Sequence, residues 1–218
     1  GFPTSNIATW DGSNWFALQN GLSGLALTAY SSVDCPPMSG VHGCVNSLAV
    51  YGNELYAAGR FDNASGTPVN NIAKWNGSSW SDVGGGIRFN NSSGGAGSYI
   101  SSMAVYNNAL HVVGLFDTAG VTVVRNLAKW DGVSWSDVGG GIGGSSVLKT
   151  GTLLVHSNSL VVGGSFDTVG NVAANNIANW NGSAWSTFGF GIPDYGGGLY
   201  DNGVTDLAIF GGSIFAGN

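Results

Sequence analysis

The sequence predicts an all-β chain of repeated antiparallel meanders, and three observations carry that prediction. Gly accounts for 38 of 218 residues, only 8% of residues are charged, and Ser, Thr and Asn supply much of the remaining polar surface. Gly and Asn adopt the positive φ values that tight hairpin turns need, whereas helix formers are scarce. The second observation is a motif met four times: "TWDGSNW" from Thr9, "KWNGSSW" from Lys74, "KWDGVSW" from Lys129 and "NWNGSAW" from Asn179, which together hold all 8 tryptophans. The third is a segment that aligns without gaps as "SLAVYGNELYAAGRF" (Ser47–Phe61), "SMAVYNNALHVVGLF" (Ser102–Phe116) and "TLLVHSNSLVVGGSF" (Thr152–Phe166).

Taken in order, each repeat begins with that segment, which reads as two short strands around a polar turn. A polar loop follows, starting at Asp62, Asp117 or Asp167, and leads into a third strand, "NNIAKW", "RNLAKW" or "NNIANW". The Asn-Gly or Asp-Gly turn then reverses the chain into a fourth strand that begins at the second Trp. Four antiparallel strands in about 50 residues have the size of a propeller blade. The complete repeats fall at 46–86, 101–141 and 151–191.

The two ends carry half a repeat each. The chain opens with strands three and four ("NIATWDGSNWFALQN") and closes with strands one and two ("DLAIFGGSIFAGN"). "IFAGN" followed by "GF" matches "LYAAGRF" position for position, so Asn218 stands at the place of Gly59, Gly1 at Arg60 and Phe2 at Phe61. The expected fold is therefore a small β-propeller of four four-stranded antiparallel blades. One blade, 204–218 with 1–20, is closed by the N- and C-terminal strand pairs, which removes exposed sheet edges. The whole of 1–218 forms one domain, with a Cys-containing insert at 21–45. The same register admits a fragment of a larger propeller, or blades completed between protomers, since a heterologous contact that fails to close propagates.

The pattern L-A-V-x-G-N-x-L-Y-x-x-G-x-F … N-x-I-A-x-W-[DN]-G-x-x-W-x-x-x-G-x-G resembles the kelch-like, Rax2-type propeller repeats of secreted and cell-surface proteins. The resemblance covers most of the chain outside the inserts and lies in framework positions, so it implies a fold and says little about activity.

Composition narrows the function classes. A net charge of -6, with scattered basic residues, argues against nucleic acid, whose binding needs clustered Lys and Arg. No apolar run is long enough for a membrane span, and a chain starting at Gly1 without signal peptide or initiator Met reads as a mature form or a fragment. Cys35 and Cys44 bracket "PPMSGVHG" and read as a local disulfide worth roughly 2–3 kcal/mol, with an oxidising, extracellular or cell-surface home. With only His42 nearby they fall short of a tetrahedral metal set. N-x-Ser/Thr sequons at Asn63, Asn76, Asn90, Asn91 and Asn181 are glycosylation candidates in the same compartment.

Loops that vary in length all emerge on one expected face and carry Tyr30, Asp34, His42, Phe89, Tyr99, Asp194, Tyr195, Tyr200 and Asp201. Aromatic rings beside Asp suit a sugar, so Tyr30, Phe89, Tyr99, Asp194, Tyr195, Tyr200 and Asp201 are the candidate ligand-binding residues. Asp62, Asp117 and Asp167 read as Asx-type turn residues. His111 and His156 align with aromatics of sister repeats and read as substituted packing positions. Glu54, the only Glu, reads as a solvated turn residue, which leaves Asp194 and Asp201 as the one carboxylate pair for glycosidase chemistry. No nucleophile elbow, phosphate loop or zinc motif is present, and neither catalytic residue, metal nor cofactor is expected.

The function expected is a non-enzymatic extracellular structural or adhesive scaffold, acting through self-association or contact with other surface proteins. A carbohydrate-binding, lectin-like propeller with glycan partners is the alternative, and a polysaccharide-active enzyme is a third reading. The tryptophan pairs read as blade-to-blade packing, each ring burying about 150–250 Å².

Overall fold

A computed structural model describes residues 6–24, 43–90, 97–143, 151–193 and 203–217. Among them no helix occurs, and the strands form several small antiparallel sheets. Three are four-stranded meanders. The first comprises Cys44–Tyr51, Glu54–Arg60, Ile72–Trp75 and Trp80–Asp82; the second Tyr99–Tyr106, Ala109–Leu115, Leu127–Trp130 and Trp135–Asp137. The third comprises Gly151–His156, Ser159–Gly164, Ile177–Trp180 and Trp185–Thr187. Ala8–Trp10 with Trp15–Ala17, and Asp206–Phe210 with Ser213–Gly217, form separate two-stranded sheets at the two ends.

The turns form for local reasons. Asn53, Asn108 and Asn158 hold the first turn of each meander with φ of 62°, 54° and 60°, the left-handed region that Asn tolerates. In the second turn, Asn76 Oδ1 accepts the backbone N–H groups of Ser78 and Ser79 at 2.9 Å, and Asp11, Asp131 and Asn181 do the same in their repeats. This Asx turn sets Trp75 directly across from Trp80, Trp130 from Trp135 and Trp180 from Trp185. The paired rings lie 5.4, 5.3 and 5.0 Å apart at the tilted angles aromatic pairs prefer.

The apolar core lies between repeats rather than inside them. Ile72, Val83 and Ile87 of the first meander pack against Leu110, Val112 and Phe116 of the second; Leu127, Val138 and Ile142 repeat the arrangement against Leu160, Val162 and Phe166. At the ends, Ile7, Leu18 and Leu22 pack on Ala57, Phe61 and Ala64, and Val204 and Leu207 on Val161 and Ile177. Each unit therefore depends on its neighbours, as in repeat proteins generally.

Side chains join the first strands of successive meanders. The first two of these strands each have a bulge, at Val45/Ser47 and at Ile100/Ser102. The bulges aim Asn46 Nδ2 at the Ile100 carbonyl (2.9 Å) and Ser101 Oγ at the Gly151 carbonyl (2.7 Å). The following hydroxyls accept in return, Ser47 Oγ from the Met103 N–H and Ser102 Oγ from the Leu153 N–H.

The loop after the second strand is more ordered than a plain polar loop. Asn63–Ala64 pairs with Thr67–Pro68, and Leu22–Ser23 of the preceding repeat adds to them; Ile87–Arg88 and Ile142–Gly143 add likewise to the next repeats. Two-residue strands carry no readable period, which is why the sequence does not announce them. Buried Asn71 and Asn176, and half-buried Asn126, fasten these sheets. Each accepts the backbone N–H of the Phe ten residues earlier and donates to the carbonyl of Ile87, Ile142 or Ile192.

Candidate interaction surfaces

The repeat-to-repeat contact is a tryptophan pair seated on a glycine. Trp130 and Trp135 lie so close to Gly84 that a Cβ there would meet both rings, and Trp180 and Trp185 stand in the same relation to Gly139. The indole N–H of Trp135 donates to the Val83 carbonyl at 2.8 Å, and that of Trp185 to the Gly139 carbonyl at 3.1 Å. Gly84 and Gly139 have φ of 58° and 57°, a left-handed backbone that glycine adopts without strain, and the absence of a Cβ leaves room for the rings. On the near side of the first meander Gln19 takes this position with φ 52°, and its amide donates to the Ser78 carbonyl. There, among the described residues, the Trp80 indole N–H is buried without a partner.

At the ends the same positions are uncovered. Gly189 is the third glycine of the series, with φ 57°, and among the described residues nothing stands within 4 Å of the place its Cβ would take. Phe188 and Phe190 beside it are exposed. Trp15 is 59% exposed although its equivalent Trp135 is 6% exposed, and Trp10 is open in the same way.

The first strand of each sheet, labelled its inner strand, and the second strand beside it tell the same story. Phe210 is 78% exposed where Tyr106 is 3%, and Phe215 is exposed where Tyr56 is buried. Tyr51 and Tyr106 each donate a hydroxyl to the next meander, at the Asn108 and Asn158 carbonyls (both 3.0 Å). On the opposite side Leu48 is 54% exposed, against 7% for Met103, because the first meander has no inner strand in front of it among the described residues. Among the described residues the chain thus presents two unlike, uncovered faces: Trp10, Trp15 and Leu48 on one, Gly189, Phe210 and Phe215 on the other. Sequence alignment of the repeats marks these positions, but only the packing shows that they are bare.

Of the ligand-binding candidates, Tyr30, Asp194, Tyr195, Tyr200 and Asp201 lie outside the described residues. Phe89 and Tyr99 are both half-buried, Tyr99 at the start of an inner strand opposite Leu115. Cys44 opens its strand opposite Arg60, and Cys35 lies outside the described residues. Asn76 and Asn181 are exposed at hairpin turns; Asn63 is half-buried, with Oδ1 accepting from the Gly66 N–H. Asn90 donates its backbone N–H to the Asp117 carboxylate and its amide to Thr118 Oγ1, and Asn91 is outside the described residues.

Two polar residues behave otherwise than expected. The Asp117 carboxylate reaches across to the preceding repeat at Asn90 instead of closing a local Asx turn, a role taken by the residue between each Trp pair. Glu54 is not simply solvated, for it pairs with Lys74 at 2.8 Å with both side chains about three-quarters covered. Such a pair contributes about 0–1 kcal/mol. Among the described residues no cluster of three or more His, Cys, Asp or Glu could hold a metal, and no helix is long and apolar enough to cross a membrane.

His111 is fully buried, 5.6 Å from the Tyr106 ring and across the sheet from Lys129, with Nδ1 donating to the Ala109 carbonyl at 3.3 Å. Burial pushes its pKa from 6.5 down to about 4, against the smaller upward pull of that hydrogen bond. The ring is therefore neutral in the fold. Above 6.5 both folded and unfolded chains are neutral here and pH has no effect through this group; between 6.5 and about 4 the unfolded chain takes the proton first. Stability is expected to fall by up to about 1.4 kcal/mol per pH unit across that window. Urea midpoints of the native chain and of His111→Val, the residue found at Val161 in the sister repeat, check this: the variant should lose the slope, and an unchanged slope would assign it elsewhere.

Comparison of the sequence with protein-family models and with curated proteins finds no match.

Proposed function

We propose that the chain is a non-enzymatic extracellular scaffold, a propeller-type array whose blades are the three meanders plus one blade assembled from the two terminal strand pairs. Its work is done by surfaces that join protein to protein. The observation that carries this reading is the mismatch within one repeat series: residues buried or half-buried at the internal contacts are bare at both ends, and each bare face has the chemistry of the other's partner. An edge strand beside exposed aromatics is a template for adding a strand.

The kelch-like resemblance, a Cys35–Cys44 disulfide and glycans at exposed Asn76 and Asn181 belong to the same reading and fit a cell-surface or matrix setting. A lectin-like role depends on Tyr30, Asp194, Tyr195, Tyr200 and Asp201, and no observation among the described residues favours it. Amide hydrogen exchange tests the scaffold reading. Residues 8–10 and 213–217 should be protected to the same degree as 73–75 and 54–58, their equivalents in a complete meander. Exchange at the rate of free edge strands, at every concentration examined, would remove it.

A further inference from the structure

Resting on that reading, we infer that the partner at these faces is a second copy of this chain. Ala8–Trp10 of one copy adds to Ser213–Gly217 of another and completes a four-stranded meander between them. The register follows from the first meander, where Leu55, Tyr56, Ala57 and Ala58 oppose Trp75, Lys74, Ala73 and Ile72. Transferred to the equivalent positions, Ile214 opposes Trp10, Phe215 opposes Thr9, Ala216 opposes Ala8 and Gly217 opposes Ile7.

One such joining covers all the bare positions together. The incoming Trp10 and Trp15 come to rest on Gly189 of the first copy, as Trp180 and Trp185 rest on Gly139. The Trp15 indole N–H gains a carbonyl beside Gly189, as that of Trp185 does at Gly139. Phe210 and Phe215 of the first copy then face Leu48 of the incoming one, replacing the contact that buries Met103 inside the chain.

Within a single copy the two strand pairs are separate sheets. Each already packs on its own neighbour, Ile7, Leu18 and Leu22 at one end and Val204 and Leu207 at the other, and each leaves its far side open. The two faces differ, so the contact is heterologous and repeats from copy to copy.

The test is the double variant Ala8→Cys, Ala216→Cys of the 218-residue chain, oxidised and run on a non-reducing gel, with light scattering over a concentration series of the unmodified chain. The expected result is a ladder of covalent dimers and longer species, with a mass that rises with concentration. Trp15→Ala should weaken association roughly thirtyfold, as loss of a buried aromatic anchor does. It should leave the urea midpoint of the dilute chain nearly unchanged, because Trp15 is exposed there. A cross-link formed only within monomers would overturn the second copy as partner while leaving the scaffold reading in place. Absence of any cross-link, with a concentration-independent monomer mass, would overturn both.

Discussion

Trp135→Ala is expected to lower folding stability by about 3–5 kcal/mol, whereas Trp15→Ala, the same substitution at the equivalent place in the motif, is expected to cost less than about 0.5 kcal/mol in the dilute chain. Trp135 is buried, packs against Gly84 and Gly120, and donates its indole N–H to the Val83 carbonyl at 2.8 Å. Its removal leaves a cavity between two repeats and an orphaned carbonyl, and the loss is a large part of an ordinary domain's stability of about 5–15 kcal/mol. Trp15 touches its hairpin partner Trp10 and is otherwise largely exposed. Urea unfolding of the two variants at low concentration measures the difference. Equal losses would mean that the motif stabilises its own hairpin and owes nothing to the neighbouring repeat.

Gly114→Ala should be as damaging for a different reason. A Cβ at Gly114 would fall on the Tyr99 carbonyl oxygen and close to the Ile100 Cα, both backbone atoms that no rotamer change can move aside. Gly59 stands in the same relation to the Cys44 carbonyl. In both meanders the glycine lies where the inner strand bulges, so the bulged strand can approach closely. Forcing the strands apart would also withdraw Ser101 and Ser102 from their partners in the third meander. A loss of about 3 kcal/mol or more is expected, together with weaker contact between meanders. The measurement is thermal unfolding beside Gly66→Ala as control, a glycine with open space around its Cβ position but φ of 94°, where only backbone strain of about 1 kcal/mol applies. If Gly114→Ala proved no worse than the control, the close approach at the bulge would be wrong.

Much of the fold was legible because the meander is a local structure. Asn53, Asn108 and Asn158 sit in left-handed turns between alternating segments, and Asp11, Asn76, Asp131 and Asn181 close the tryptophan hairpins through their own side chains. Such signals lie within four residues of one another, and they fix strand order and register without reference to the rest of the chain. The phase of the repeat likewise showed that each end holds two strands. By contrast, the small sheets that bind Leu22–Ser23 to Asn63–Ala64 escaped notice, since two residues carry no period and their partners come from another repeat. Asp117 departs from the Asx turn its sequence suggests for the same reason: its partner, Asn90, is 27 residues away.

The sequence by itself determined the meander, its turns, the count of half-repeats at the ends and the interchangeable positions along the series. Each of these follows from steric preference and side-chain period over a few residues. Only the tertiary structure decided which copies of an interchangeable position are covered. Trp15 and Trp135 read alike, as do Leu48 and Met103 or Gly189 and Gly139, yet burial belongs to the neighbour a residue meets and not to the residue itself. That difference between identical motifs, set by what packs on them, is what distinguishes the bare faces from the rest of a repetitive framework.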